Sequence, residues 1–397
     1  MLDEADSRFV QDAIVKLGLR PIRDSWNDMS DGQYVVLPLE LLLAHTPNLK
    51  SLQLRADHDW DLFVIPQLLK TRPAFLANLE VLGAVGMEGL TYKVSCYAID
   101  LLTRASPNLV TLRMRGGLPR SPSRNPWLVF PPALTRLRQL ELTDGNSDDP
   151  WQVARVLCAA PSLEILVLYW KPSAKGWYAN HFDFDDEEDE EEGGRPKASH
   201  IWEVIDCRRD SLRELRLGSY VDCGDPGETI RRDSLADFAR LERLTVDVFS
   251  LGALRATWKR NNRHAQEDTF LSKLLPPTLR ELTILDDPPS MVAAMQRLAS
   301  DVADGGYPNL EVVKVGLYRV WNHLESAWED VQGELEEKFA RGSVRFEIVF
   351  PDNFSDLILQ PDPSTVRPIK YDTDDEDLMP DDCIFSLVDI APTPELR

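Results

Sequence analysis

The chain has 397 residues, of which 43% are apolar and 28% charged, enough to bury a sizeable core. That composition excludes a wholly disordered chain, a collagen and a small disulfide scaffold. The net charge of −22 argues against the basic footprint of a nucleic-acid binder, and no run of about 18 apolar residues is present to suggest a membrane span.

The N-terminus, MLDEADSRFV, is acidic and leads into no apolar signal-peptide core, so an intracellular protein, cytoplasmic or nuclear, is expected. Residues 6–19 (DSRFVQDAIVKLGL) read as a helix with Phe9, Ile14 and Leu17 inward, part of an N-terminal helical cap or incomplete repeat over 1–36. From residue 37 one phrase recurs. It is read in PNLKSLQL (47–54), ANLEVLGA (77–84), PNLVTLRM (107–114), TRLRQLEL (135–142), PSLEILVL (161–168), DSLRELRL (210–217), ARLERLTV (239–246), PTLRELTI (277–284) and PNLEVVKV (308–315). SVRFEIVF (343–350) is a degenerate last copy.

The first Leu of successive phrases is spaced by 30, 30, 28, 26, 49, 29, 38 and 31 residues. Each phrase alternates apolar and polar at its end, as a half-buried strand does. Amphipathic helical stretches precede most of them, as in LPLELLLAHT (37–46), VSCYAIDLLTRA (94–105), WQVARVLCAA (151–160) and HIWEVIDCRR (200–209), and Pro47, Pro107, Pro161 and Pro308 then stop the helix. A unit of helix, Pro turn, short strand and loop cannot bury its own Leu pair. Stacked units can, with their strands in one parallel sheet and helices behind. The expected fold class is therefore α/β, a leucine-rich-repeat solenoid (a horseshoe with a parallel concave sheet and convex helices) over 37–350.

The spacing of 49 contains an acidic insertion at about 174–198, where residues 183–192 (DFDDEEDEEE) hold nine acids and no base. It is expected to be solvated and disordered. Residues 318–342 read as a long helix with Trp321, Leu324, Trp328, Val331, Leu335 and Phe339 on one stripe, a cap for the last repeat. Residues 351–397 hold twelve acids and three bases and are expected to form an acidic, mostly disordered tail. With insertion and tail set aside, the repeat body is close to neutral.

No motif for catalysis is found: there is no phosphate-binding glycine loop, no H-E-x-x-H and no G-x-S-x-G. The six histidines are scattered without metal-ligand spacing, so no catalytic residue, metal or cofactor is assigned and the chain is read as no enzyme. Cys96, Cys158, Cys207, Cys223 and Cys383 have no C-x-x-C pairing and are expected as reduced thiols, mostly in the core.

Alternation in L-x-x-L-x-L turns the Leu positions inward and the residues between them outward. The outward row runs Gln53, Gly83, Arg113, Glu141, Val167, Arg216, Thr245, Thr283 and Lys314, and the next begins Arg55, Val85, Arg115, Thr143, Tyr169. Arg55, Arg113, Arg115, Glu141, Val167, Tyr169 and Arg216 are the candidate partner-binding residues, since Arg and Tyr are favoured interface anchors. Ordinary solvated sheet residues, or Arg paired across strands with Glu141 and Asp247, remain the alternative.

The helix followed by PNLKSLQL, PNLVTLRM, PSLEILVL and PNLEVVKV resembles leucine-rich-repeat proteins of the F-box type, closest to the divergent, acid-decorated versions of filamentous fungi. The resemblance covers roughly 37–350. It implies a noncatalytic protein–protein interaction scaffold, the substrate receptor of an SCF-type ubiquitin ligase, whose partners are a Skp-type adaptor, a cullin and a protein ligand held on the repeats. The F-box phrase itself is not recognisable: Leu37-Pro38-Leu39-Glu40-Leu41 runs directly into the first repeat. The acidic runs carry an alternative resemblance, to acidic leucine-rich nuclear proteins that chaperone histones and other basic proteins. Neither reading calls for nucleic acid or membrane.

Overall fold

The computed structural model describes residues 12–18, 31–56, 64–86, 96–115, 134–143, 150–170, 202, 204–219, 234–247, 250–251, 267–285, 291–317 and 322–349. The acidic insertion and the C-terminal tail lie outside them. Each of the nine recurring phrases forms a strand: β1 (Ser51–Ala56), β2 (Val81–Gly86), β3 (Thr111–Arg115), β4 (Gln139–Thr143), β5 (Ile165–Trp170), β6 (Glu214–Ser219), β7 (Arg243–Asp247), β8 (Glu281–Leu285) and β9 (Val312–Gly316). The degenerate copy forms β10 (Arg345–Val349). Strand order in the parallel sheet follows the chain, β1 to β10. The α/β class and the parallel sheet expected from the repeat are therefore present.

The helices are α1 (Asp31–His45), α2 (Val64–Thr71), α3 (Cys96–Ala105), α4 (Pro150–Ala159), α5 (Phe270–Leu274), α6 (Val292–Ala303) and α7 (Asn322–Arg341). α1 starts before the expected boundary at residue 37 and carries Pro38 in its interior. Of the helix expected at 200–209, residues 202 and 204–206 are helical and 207–209 form a turn.

The Pro signals act through one turn. The N–H of Leu49 donates to the carbonyl of Thr46, three residues back, and Leu109 to Ser106, Leu241 to Phe238 and Leu310 to Tyr307 do the same at 3.0–3.2 Å. Pro47, Pro107 and Pro308 thus hold the second turn position, where a fixed φ near −65° is wanted. The Leu that closes each turn is at most 4% exposed in all nine phrases. The carbonyl after it accepts two N–H groups of the following repeat, as Lys50 does from Glu80 and Val81 and Arg213 does from Glu242 and Arg243.

Chain contacts define two units. The first holds the described residues up to Leu142 together with Cys158–Ser162. In it β1, β2 and β3 pair in parallel, Leu52 beside Leu82 beside Leu112, each 1% exposed or less. Ile14 and Leu17 pack with Leu37, Leu41, Val64 and Leu68, so the inward stripe of the N-terminal segment is real where it is described; Phe9 lies outside the described residues. Asn78 and Asn108 donate their side-chain amides to the carbonyls of Pro47 and Ala77 at 2.9 and 2.8 Å, tying each Pro-Asn turn to the one before. Glu40, fully buried, accepts the N–H groups of both Val64 and Ile65 at 2.9 Å and so caps the start of α2.

The second unit holds Thr143–Leu157 and the described residues from Leu163 onward. β5 to β10 pair in parallel, with Leu166, Leu215, Leu244, Leu282 and Val313 forming one inward row, each 1% exposed or less. Asn309 and Thr278 repeat the side-chain tie, to the carbonyls of Pro277 and Leu241. α7 packs on α6 and β10 through Trp328, Leu335 and Phe339, all fully buried, and Phe339 stacks on Phe346 with ring centroids 5.4 Å apart. At the end of α7 a side chain at Gly342 would put Cβ 2.8 Å from the carbonyl oxygen of Val302, so only glycine fits.

One expectation needs correcting. Of the cysteines expected mostly in the core, Cys158 and Cys207, which form no disulfide, are exposed. On α4 the buried positions are Val153, Val156 and Leu157, and the helical period turns Cys158 away from them.

Two predictions concern buried polar groups. Glu40→Ala leaves two buried N–H groups without an acceptor, and urea unfolding is expected to show a loss of about 2 kcal/mol. The second concerns Tyr307, whose hydroxyl donates to the carbonyl of Ser272 at 2.7 Å. Burial, and secondarily the negative charge of Asp301, pushes this phenol from 10.0 up to about 12. The unfolded chain then releases the proton first, so stability present below pH 10 is lost as pH rises toward 12. Tyr307→Phe is expected to cost about 1 kcal/mol at neutral pH and to flatten that alkaline decline in thermal melts.

Candidate functional site

The strands position their outward side chains in register on the sheet face opposite the buried Leu rows. In the first unit Gln53, Gly83 and Arg113 are neighbours across β1, β2 and β3, and so are Arg55, Val85 and Arg115. Arg113 Nε lies 3.1 Å from Glu141 Oε2, with both side chains mostly covered. Gln139 donates to the other Glu141 oxygen at 2.5 Å. Arg115 is exposed. The side chain of Arg55 lies outside the described residues, so only its register position is fixed. Val85 is 38% exposed, high for an apolar strand residue. In the same strand Gly83 is buried, and an added Cβ there would meet the flexible Cγ of Gln53 at 3.3 Å.

The second unit presents a different face. Val167 pairs in register with Arg216, Thr245, Thr283 and Lys314, and Tyr169 with Gly218. Val167 and Tyr169 are only 3% and 4% exposed. Their expected place on an accessible surface is corrected: alternation sets the direction of a side chain, not its accessibility. Asp247 and Leu285 are buried on the same side.

Charge on this face is internally matched. The Glu214 carboxylate, 3% exposed, lies 2.5 Å from both Arg216 and Arg243. Lys314 pairs with Glu281 at 2.6 Å and Arg345 with Glu347 at 2.7 Å. Asp247 accepts the N–H of Ser250 at 2.7 Å. Of the seven candidates, Arg113 and Glu141 form a cross-strand pair, and Arg216 is held by Glu214 within its own strand, so ion pairing accounts for three of them.

A second charged row was missed from sequence. The residues directly after the first Leu alternate in sign along consecutive repeats of the second unit: Glu164, Arg213, Glu242, Arg280, Glu311. Arg213 pairs with Glu242 at 2.6 Å and Arg280 pairs with Glu311. These carboxylates hold both guanidinium groups above their ordinary range, the hydrogen bond being the larger cause and the charge the next. A shallow cleft of about 620 Å³ opens along this row, lined by Arg240, Glu242, Arg280, Asn309, Glu311 and Ser343. The row is solvent-exposed and its ions satisfy one another, so it sets which turn stacks on which and adds little stability.

Among the described residues no three His, Cys, Asp or Glu side chains converge as a metal site, and no helix is long and apolar enough to cross a membrane. No family model and no curated protein matches the chain.

Removing the buried partner of the Glu214 cluster separates it from surface pairing. Glu214→Ala is expected to destabilise by about 2 kcal/mol in chemical denaturation, because two guanidinium groups lose their shared carboxylate. Arg243→Ala, at the exposed end of the same cluster, should cost under about 1 kcal/mol.

Proposed function

We propose that the chain is a leucine-rich-repeat solenoid, a horseshoe whose concave sheet captures a protein partner without catalysis. One phrase maps to one strand and one turn closed by a buried Leu, which is the economy of a stacked repeat. The observation that carries the binding reading is the in-register outward face of the first unit, where Arg115 stands beside an exposed Val85 and Arg113 beside Gly83. Arginine beside exposed apolar surface is the composition of an interface anchor. In its most concrete form the protein is a substrate receptor of an SCF-type ubiquitin ligase, engaging a Skp-type adaptor and a cullin. That form rests on the resemblance of the repeats alone.

The test is affinity capture of the tagged full-length chain from lysate, at low and moderate salt, beside Val85→Lys. Val85 is exposed on β2, so a lysine there reaches solvent without disturbing the Leu row. Partners held on this face are expected to drop at least tenfold with Val85→Lys while melting behaviour is kept. Unchanged capture overturns the binding reading. A Skp-type adaptor and cullin among the captured proteins support the ligase form, and their absence beside another stable partner retires it. Histone capture that collapses in salt favours the acidic chaperone instead.

A further inference from the structure

The sheet stops at β10, and one side of that strand carries no neighbouring strand. The N–H of Arg345 donates to the carbonyl of Glu311, and the carbonyl of Val349 accepts from Leu317, both at 2.9 Å. In a parallel pair the N–H and C=O of one residue turn to the same side, and the sides alternate along the strand. Arg345, Glu347 and Val349 therefore face β9. Phe346 and Ile348 turn their backbone groups to the open edge, where they meet no partner among the described residues. The apolar row ends at the same place. Leu168, Leu217, Val246, Ile284 and Val315 lie side by side in register, each at most 1% exposed, while Ile348, next in the row, is only partly covered. On the opposite sheet face Arg345 and Glu347 stand two residues apart with opposite charge.

We infer that this edge pairs with the same edge of a second copy of the chain, antiparallel and centred on Phe346. A two-fold axis at that point lets the two Phe346 residues exchange N–H···O=C bonds. It also sets Ile348 opposite Val344 of the second copy. The Val344 N–H is already given to Phe339, so the Val344 carbonyl takes the Ile348 N–H and the Ile348 carbonyl stays with water. Val344 then covers Ile348, and the apolar rows run on across the axis. In the same register Arg345 faces Glu347 of the second copy on both sides of the axis. Opposite charges directly across a strand pair stabilise it, whereas centring on Glu347 would set two carboxylates face to face. A foreign extended segment could use the same backbone groups, but the order of the two charges selects the chain itself. An edge of five residues buries less than the about 1,200 Å² of a standard interface, so the dimer is weak and concentration-dependent.

The test is sedimentation equilibrium of the full-length chain between about 1 and about 100 μM at physiological salt, where charges more than about 8 Å apart are screened. A monomer–dimer equilibrium is expected. Arg345→Glu alone, or Glu347→Arg alone, sets like charges opposite one another and should weaken the dimer at least tenfold. The double exchange Arg345→Glu, Glu347→Arg restores the opposition and should recover the affinity to within threefold, a rescue that a merely structural role for either residue does not produce. Thermal melts check that each variant folds. Should a charge variant misfold, Ile348→Lys at the partly exposed end of the row replaces it, with the same tenfold loss expected. A chain that is monomeric throughout overturns the inference and leaves the edge to another segment of the chain or to a foreign strand. A dimer indifferent to the single exchanges, or one that the double exchange fails to rescue, overturns it as well.

Discussion

Each repeat leaves a carbonyl that only its neighbour can fill. The residue after the first Leu of a phrase turns its C=O along the stacking direction, where two successive N–H groups of the following phrase converge on it, at Lys50, Glu80 and Val110 in the first unit and at Glu164, Arg213, Glu242 and Arg280 in the second. A buried backbone carbonyl left unpaired would cost free energy comparable to a lost hydrogen bond. The requirement therefore propagates: the turn must close at Leu49, Leu109 or Leu310 so that the next residue arrives in place, and the Leu itself must be buried to hold it there. Side-chain ties from Asn78, Asn108, Thr278 and Asn309 reinforce the same spacing from outside the strand. Leu burial, turn closure and strand pairing are three views of one register.

That coupling explains what could be read from the chain. Inward Leu residues repeat because every unit needs them, so their spacing exposes strands and turns together. The end of the repeat was equally plain, since Trp328, Leu335 and Phe339 fall on one helical stripe and all three are buried. Ties between units were harder to see. Glu40 caps a helix 24 residues away, and no local pattern links a carboxylate inside one helix to the start of the next. Its only trace is an acid in an otherwise apolar run, LPLELLL. The alternation Glu164, Arg213, Glu242, Arg280, Glu311 was visible once repeats are aligned and read down the column, but not along the chain.

The candidate face was half legible. Alternation correctly placed Arg113 beside Gly83 and Val167 beside Arg216, because strand periodicity is a local property of the backbone. Accessibility is not local. Val167 and Tyr169 obey the same alternation as Val85, yet two are buried and one is exposed. The distinction depends on what surrounds each position, and sequence alternation holds no record of it. Charge behaved similarly. Arg216 reads as a free anchor in the phrase RELRL, whereas in space it shares Glu214 with Arg243 from the following repeat.

Arginines on the outward face of a strongly acidic chain raise a question of range. At physiological ionic strength charges more than about 8 Å apart are largely screened. A ligand approaching from solution senses the sum of −22 only weakly, and in contact it senses the arginines beneath it. Lowering the salt extends the reach of the distant acids more than that of adjacent groups, so the two fields are best separated near physiological ionic strength. The acidic runs then discourage indiscriminate association with other anions, while the outward arginines of the first unit act only on a ligand that has already reached them. Specificity on such a surface comes from fit around Val85, with charge deciding orientation. The outward face of the second unit is internally paired, whereas the first unit's face sets the exposed Val85 beside Arg115 in register.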